Sequence, residues 1–394
     1  MSQSTSKPCR LLAVNGPVQV LCAVAALQAR EAIRPVVLAV PVVLGIQPLH
    51  TQDAARAKCL EGIIRECAHV LHAFEAVVDM QQGPDELRRQ GWEAVEISVN
   101  MLEVPESRAL FQQWPQARRI LYGDGLGLAQ TTGDFGAGHS KKAELRRWLG
   151  RFLPVFRRGT DAEGAEPCEE AYVLARHPRY ALRCSRQHFI PAAKYRQLFE
   201  RLAERLTVPA LDSAIEKLPA GKDCDILLMT NLPGGPVTDA DAEVVAYVHL
   251  LTEDARALPP AVWVKPHPRN STALLSSLRE KLSKLYQSVV MFDAPEEAAL
   301  PFEVVLGRAI AKGSVKPEAL CFFAASTAAC SVPVVFGKPV KIGFGARACQ
   351  GIYKQDTWLA TRLLHERRLR ALVNDLLGLT FRGRDVWTGA WSAA

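Results

Sequence analysis

The chain reads as an α/β protein built from two Rossmann-like halves, each a parallel sheet with crossover helices. Short β-rich runs alternate with helical patterns through the first half, as strands joined by crossovers do. The same alternation starts afresh near residue 221. A length of 394 residues suits two or three domains at roughly 150 residues each.

Taken in order, Cys9 to Val14 reads as a strand and Val18 to Arg30 as a helix, with Asn15-Gly16-Pro17 turning between them. Val36 to Val43, Ala94 to Val99 and Arg119 to Tyr122 read as further strands, and Asp53 to His72 as a helix. A basic helix starts at Lys141 and stops near Pro154, a residue that cannot continue it. The polar, glycine-containing stretch Gly159 to Glu170 reads as a surface loop, and Tyr195 to Leu206 as a charged amphipathic helix.

The second half opens with the strand Cys224 to Met229 and the turn-rich Asn231 to Pro236. Thr238-x-x-Asp241 then starts a helix as a variant capping box, the hydroxyl accepting from an orphan N–H and the carboxylate reaching back. Ala261 to Lys265 is the next strand, Ser271 to Tyr286 a helix and Val289 to Phe292 a strand. Cys321 to Ala324 and Val332 to Phe336 read as the last strands, and Asp356 to Leu377 as the closing helix. The halves join near Val208 to Gly221, so residues 1–215 form one domain and 216–394 the other, facing each other across a cleft. Ligands of such sheets sit beyond the carboxyl ends of the strands, so motifs that end strands are where chemistry belongs.

Composition narrows the classes. With 48% hydrophobic and 23% charged residues the chain is globular, which excludes wholesale disorder and a small disulfide scaffold. The run Pro35 to Gly45 is short and holds two prolines, so it cannot supply the roughly 20 apolar residues of a membrane span. Ten scattered cysteines without a CxxC pair, most among apolar neighbours, behave as small hydrophobes and point to a reducing compartment. The expected location is the cytoplasm.

The net charge of +7 is partly localised: Lys141 to Arg158 holds seven basic residues against Glu144 alone. Leu145, Trp148, Leu149 and Phe152 recur between them at helical spacing. Such a segment is either a solvated helix face or a landing surface for a polyanion or anionic lipid headgroups. No nucleic-acid-reading module is present, so nucleic acid is not an expected partner.

Four motifs end strands or start helices. Tyr122-Gly123-Asp124-Gly125 follows Arg119-Ile120-Leu121; glycines let Asp124 approach a substrate closely, though Asp and Gly also make ordinary turns. Lys265-Pro266-His267-Pro268-Arg269 follows another strand. Its prolines hold the imidazole and its cations flank it, which suits a phosphate oxygen. A second His-Pro, His177-Pro178, has one flanking proline and reads as structural. Pro301-Phe302-Glu303 places a lone carboxylate at a helix start, where the macrodipole favours it. Ser326-Thr327, among alanines after Cys321-Phe322-Phe323, can offer donors to a phosphate or simply cap a helix.

In this order, Asp-Gly, His-Pro, Glu and Ser-Thr, the chain resembles the bacterial sialyltransferases of the capsule polysialyltransferase and lipooligosaccharide type. The opening Asn15-Gly16-Pro17-Val18-Gln19-Val20-Leu21 is also similar to that family's first strand-to-helix turn. The resemblance implies a GT-B fold and inverting transfer of sialic acid from CMP-sialic acid to a bacterial surface glycan. It implies that Asp124, followed by Gly125, is the general base, and that His267 beside Lys265 binds the cytidylate phosphate and assists its departure. Ser326 and Thr327 would hold the same phosphate, and Glu303 the ribose hydroxyls. Gly123 departs from the family pattern, which has an acid there. The absence of an Asp-x-Asp motif at a strand end leads to the expectation of no metal cofactor. The expected partners are the CMP-sugar, an anionic glycan or glycolipid acceptor, and anionic membrane contacted peripherally at its inner face through Lys141–Arg158. A donor carrying another CMP-linked nonulosonic acid or Kdo, or a non-catalytic binding protein of the same fold, are the alternatives.

Overall fold

The computed structural model describes residues 6–33, 40–49, 54–102, 104–123, 168–174, 184–218, 221–232, 237–253 and 256–378. The described residues of Met1–Glu216 and Ala294–Ala309 form one compact unit, and those of Lys217–Asp293 and Ile310–Ala394 a second.

The first unit is a parallel sheet of strands β1 (Lys7–Val14), β2 (Val42–Ile46), β3 (Ala76–Asp79), β4 (Trp92–Val99), β5 (Arg118–Tyr122), β6 (Cys168–Val173) and β7 (Cys184–Phe189). Their spatial order among the described residues is β3-β2-β1-β4-β5-β6-β7. Helices α1 (Pro17–Ile33), α2 (Ala54–Leu71), α3 (Asp85–Arg89), α4 (Pro105–Gln113), α5 (Ala192–Arg205) and α6 (Pro209–Glu216) connect and cover it. Central β1 reads Leu-Leu-Ala-Val at its carboxyl end, buried throughout, as expected of a strand covered on both faces.

The second unit repeats the plan. Strands β8 (Cys224–Leu228), β9 (Ala261–Lys265) and β10 (Ser288–Met291) alternate with α7 (Ala240–Thr252) and α8 (Thr272–Leu282). The chain then adds α9 (Pro295–Ala299) and most of α10 (Phe302–Ala311) to the first unit. There α9 packs on α2, Gly307 sits against Ala203, and the Arg308 Nη2 donates to the Leu206 carbonyl at 2.7 Å. Strands β11 (Leu320–Ala324) and β12 (Val340–Ile342) and helices α11 (Gly345–Ile352) and α12 (Asp356–Leu376) complete the second unit. Its five strands are parallel in the order β10-β9-β8-β11-β12. Counted within each unit, both sheets thus follow the doubly wound order 3-2-1-4-5, with a switch point at β1/β4 in one and β8/β11 in the other.

Several elements differ from the sequence expectation. Val332–Phe336 is not a strand but one turn of π-helix, following a 3₁₀ turn at Thr327–Cys330. Pro333 is tolerated in its first turn, and Gly337, at φ 63°, closes it in the left-handed conformation that only glycine adopts cheaply. The cap of α7 is Asp239, whose carboxylate accepts from the Ala242 N–H at 3.0 Å; Thr238 instead pairs with Tyr353. Strand β2 begins at Val42, and Cys168–Glu170, expected in a loop, opens β6. Glu170 is fully buried there because the Tyr172 hydroxyl donates to it at 2.9 Å and Arg118 lies at 3.4 Å. None of the ten cysteines is in a disulfide, and eight are buried.

Candidate functional site

The geometry that matters lies at the carboxyl edge of the second sheet. Strand β9 ends at Lys265, and the chain turns through Pro266, His267, Pro268 and Arg269. The turn is fastened by Asn270, which is buried. Its Oδ1 accepts from the His267 backbone N–H at 2.7 Å, and its Nδ2 donates to the Thr230 carbonyl at 3.0 Å, just past β8. The Tyr247 hydroxyl holds Thr230 from the other side, donating to its carbonyl at 3.2 Å and accepting from its N–H at 3.1 Å. The His-Pro turn is therefore anchored to its neighbouring strand and to α7.

This anchoring sets the chemistry of His267. The Arg269 backbone N–H donates to Nδ1 at 3.2 Å, so the neutral ring carries its proton on Nε2. Burial first, then the charges of Arg269 and Lys265, lowers the imidazole pKa to about 4. At neutral pH His267 is an oriented, uncharged Nε2–H donor between two cations.

Two strands away, β11 ends at Ala324 and runs through Ala325 into Ser326. Strands β9 and β11 flank β8, which puts the two turns about 10 Å apart at ~4.8 Å per strand. Ser326 occupies the N-cap position of the following 3₁₀ turn in extended conformation, φ −124° and ψ 173°, and its side chain makes no capping bond. Ser326 and Thr327 are only partly buried and stand just past β11, at the edge where ligands of such sheets bind.

Behind Ser326 lies a buried ion pair that the sequence reading did not single out. Arg362 of α12 donates to the Ala325 carbonyl at 2.7 Å and to Glu366 at 2.9 Å. Glu366 also accepts from the backbone N–H groups of Phe344 at 2.9 Å and Gly345 at 3.1 Å, a carboxylate set at the start of α11. Gly343, at φ 77°, has no room for a Cβ, which would overlap the Glu366 carboxyl. Asn270, Arg362 and Glu366 thus hold both turns. Asn270 has a weak local signal, an Asx residue closing a proline-rich turn; the ion pair has none, since its partners meet only through tertiary packing.

Of the expected site residues, Lys265, His267, Ser326 and Thr327 stand at this edge. Glu303 stands in the first turn of α10, is buried, and belongs to the first unit. Gly123 follows β5, one residue beyond Tyr122. Asp124, Gly125, His177 and Lys141–Arg158 lie outside the described residues. Among the described residues no three His, Cys, Asp or Glu side chains cluster as a metal site, and no helix is long and apolar enough to cross a membrane.

Two parallel sheets of one strand order, with phosphate-suited groups at a carboxyl edge, are the plan of the GT-B type glycosyltransferases. Residues 178–315 match the alpha-2,8-polysialyltransferase (POLYST) family model, so this part of the chain is sialyltransferase-like. The matched segment contains Lys265, His267, Asn270 and Glu303 and ends before Ser326. No curated protein matches the chain. Among solved structures it is similar to the GT-B domain of a Photobacterium damselae sialyltransferase, at 11% identity and TM-score 0.38 over 94% of this chain and 97% of that one. It is also similar to a UDP-GlcNAc 2-epimerase from Methanocaldococcus jannaschii, at 10% identity and TM-score 0.38 over 82% and 79% of the two chains.

Proposed function

We propose that the chain transfers sialic acid from CMP-sialic acid to a bacterial surface glycan, a capsule polysaccharide or lipooligosaccharide, by a single inverting displacement without a metal ion. The observation that carries the reading is the His267 ring, fixed as an Nε2–H donor between Lys265 and Arg269, with the Ser326–Thr327 hydroxyls two strands away. As the bond to the sugar breaks, negative charge grows on the cytidylate phosphate. Preoriented donors aimed at that charge lower the barrier because they need not reorganise. His267, Lys265, Ser326 and Thr327 supply them. Asp124 is the proposed base for the acceptor hydroxyl on the opposite face of the sugar. Glu303, at the start of α10, is the proposed partner of the ribose hydroxyls. The basic segment Lys141–Arg158 is the proposed contact for an anionic acceptor or for lipid at the inner membrane face; charge reversal there should weaken liposome binding.

Thermal unfolding with CMP, UDP and GDP tests the donor site. CMP at about 100 times its dissociation constant should stabilise by about 2.7 kcal/mol, and His267→Ala should abolish the shift. Incubation with CMP-sialic acid and sialylated acceptors should then release CMP and give product of inverted anomeric configuration by NMR. A shift with UDP alone, or CMP release unchanged in Asp124→Ala, overturns the reading. CMP binding without turnover of any CMP-sugar would leave a nucleotide-binding protein of the same fold.

A further inference from the structure

Helix α7 anchors the His-Pro turn through a phenol, and it carries an acid against that same phenol. The buried Tyr247 hydroxyl accepts from the Thr230 N–H and donates to the Thr230 carbonyl. That carbonyl accepts a second hydrogen bond from Asn270 Nδ2, and Asn270 Oδ1 holds the His267 N–H. A relay of Tyr247, Thr230 and Asn270 therefore runs from α7 to the turn that bears the imidazole. Glu243 stands four residues before Tyr247, one helical turn away on the same face. It is 6% exposed, and its carboxyl hydrogen-bonds the Tyr247 hydroxyl.

The groups around Glu243 leave a charge there poorly supported. Arg362 of α12 attracts it, but Arg362 is committed to Glu366 and to the Ala325 carbonyl. Tyr353, just after α11, also faces it, and Cys349 of α11 stands against Glu366 at 3.6 Å. Helix α8 packs on α7 as well, with its Arg279, Glu280 and Lys281 exposed in the last turns. Residues 233–236, between β8 and α7, are Pro-Gly-Gly-Pro and have no titratable side chain. Burial therefore dominates and raises the Glu243 carboxyl to about 7, with Tyr247 and then Arg362 pulling the other way.

The phenol has one proton and two acceptors within reach, the Thr230 carbonyl and the Glu243 carboxyl. While Glu243 is protonated, the Thr230 carbonyl keeps that proton. Once Glu243 ionises, the carboxylate takes it, because a charged acceptor makes the stronger bond. From this arrangement we propose that Tyr247 is a positioning residue for His267 and that Glu243 is its proton-operated release. Loss of the Glu243 proton turns the phenol away from Thr230 and slackens the Asn270 hold on the His-Pro turn. Donor affinity then falls as pH rises through the ionisation of Glu243. The consequence for the donor rests on the glycosyltransferase reading; the coupling of Glu243 to Asn270 does not.

Two measurements on the full chain decide it. In the ligand-free protein, the Asn270 side-chain NH2 signals, assigned by their loss in Asn270→Asp, should shift with pH about a midpoint near 7. In Glu243→Gln they should stay fixed between pH 6.5 and 8.5. By calorimetry, the CMP dissociation constant of the parent should rise at least threefold over that range relative to Glu243→Gln. The ratio cancels the titration of the CMP phosphate itself, whose second pKa is about 6. Tyr247→Phe keeps the acid but has no phenol proton to withdraw, so it should bind CMP more weakly at pH 6.5 and lose the pH dependence. Equal pH dependence in the parent and Glu243→Gln overturns the proposal, as does an Asn270 signal that ignores pH in the parent. So does a dependence in Tyr247→Phe as large as the parent's, which direct repulsion between carboxylate and phosphate would give. A parent that binds no CMP at either pH counts against the donor assignment instead, and the Asn270 signal then decides the coupling by itself.

Discussion

His267 works as a donor because its surroundings keep it uncharged. With its pKa lowered to about 4 by burial and by Arg269 and Lys265, the imidazole is neutral from about pH 5 upward. Its NMR titration midpoint should lie near 4 in the free protein and rise when CMP binds, because the phosphate offsets the two cations; a midpoint near 6.5 in the free protein would contradict the geometry. The linkage to stability has a definite sign: the unfolded ring binds its proton first, so the stability tied to neutral His267 is complete above pH 6.5 and lost as pH falls through 4. Buried His365, lowered to about 3, adds to the same acid sensitivity. Glu243 is the opposite case. Burial raises it to about 7 against the pull of Tyr247 and Arg362, so its ionisation costs stability as pH rises from 4.5 through 7. Glu243→Gln should therefore match the parent at pH 4.5 and exceed it at pH 8 by up to about 3 kcal/mol, read from denaturant unfolding at the two pH values.

Among the elements, α7 and the Ser326 turn show how local chemistry and packing divide the work. Asp239 caps α7, so Asp239→Ala should lower the urea midpoint, whereas Thr238→Ala should leave the cap intact. The Ser326 turn has no comparable local cap and is held from behind. Arg362→Leu would free the Ala325 carbonyl and leave Glu366 with its buried charge less well paired, a loss of about 3–5 kcal/mol for a broken buried pair. Urea unfolding should show this loss, and CMP should stabilise the variant less than it stabilises the parent, since Ser326 follows the freed carbonyl. A variant of equal stability would mean that the ion pair does not hold the turn.

For the molecule as a whole, the two units share one strand order but carry different edges: phosphate-suited donors in the second, a cavity with largely apolar walls in the first. Hydrogen exchange should separate them. CMP should slow exchange around residues 265–270 and 325–330 and leave residues 45–49 and 79–84 unchanged. Protection by CMP confined to the first unit would move the nucleotide site and remove the basis for the roles of His267 and Ser326.

Much of this was legible in the chain because punctuation was strong. Strands β1, β4, β8, β9 and β11 are apolar runs that end in Asn-Gly-Pro, Asn, Thr-Asn, Pro-His-Pro and Ser-Thr, so both their existence and the turns beyond them could be read. The edge strands of the first sheet were not: β7, Cys-Ser-Arg-Gln-His-Phe, is mostly polar, and β3 is only four residues long. The β-branched run Val332–Phe336 looked like a strand, yet packing bends it into a helical turn that ends at Gly337. By itself, then, the sequence determined a repeated parallel α/β plan and the residues that end its strands, since hydrophobic period and turn residues are local properties, and the order of its short motifs carried the resemblance to the sialyltransferases. Only tertiary structure decided that α9 and most of α10 join the first unit and that Arg362 and Glu366 brace the Ser326 turn, because each depends on which distant backbone or side-chain groups packing brings within hydrogen-bond reach.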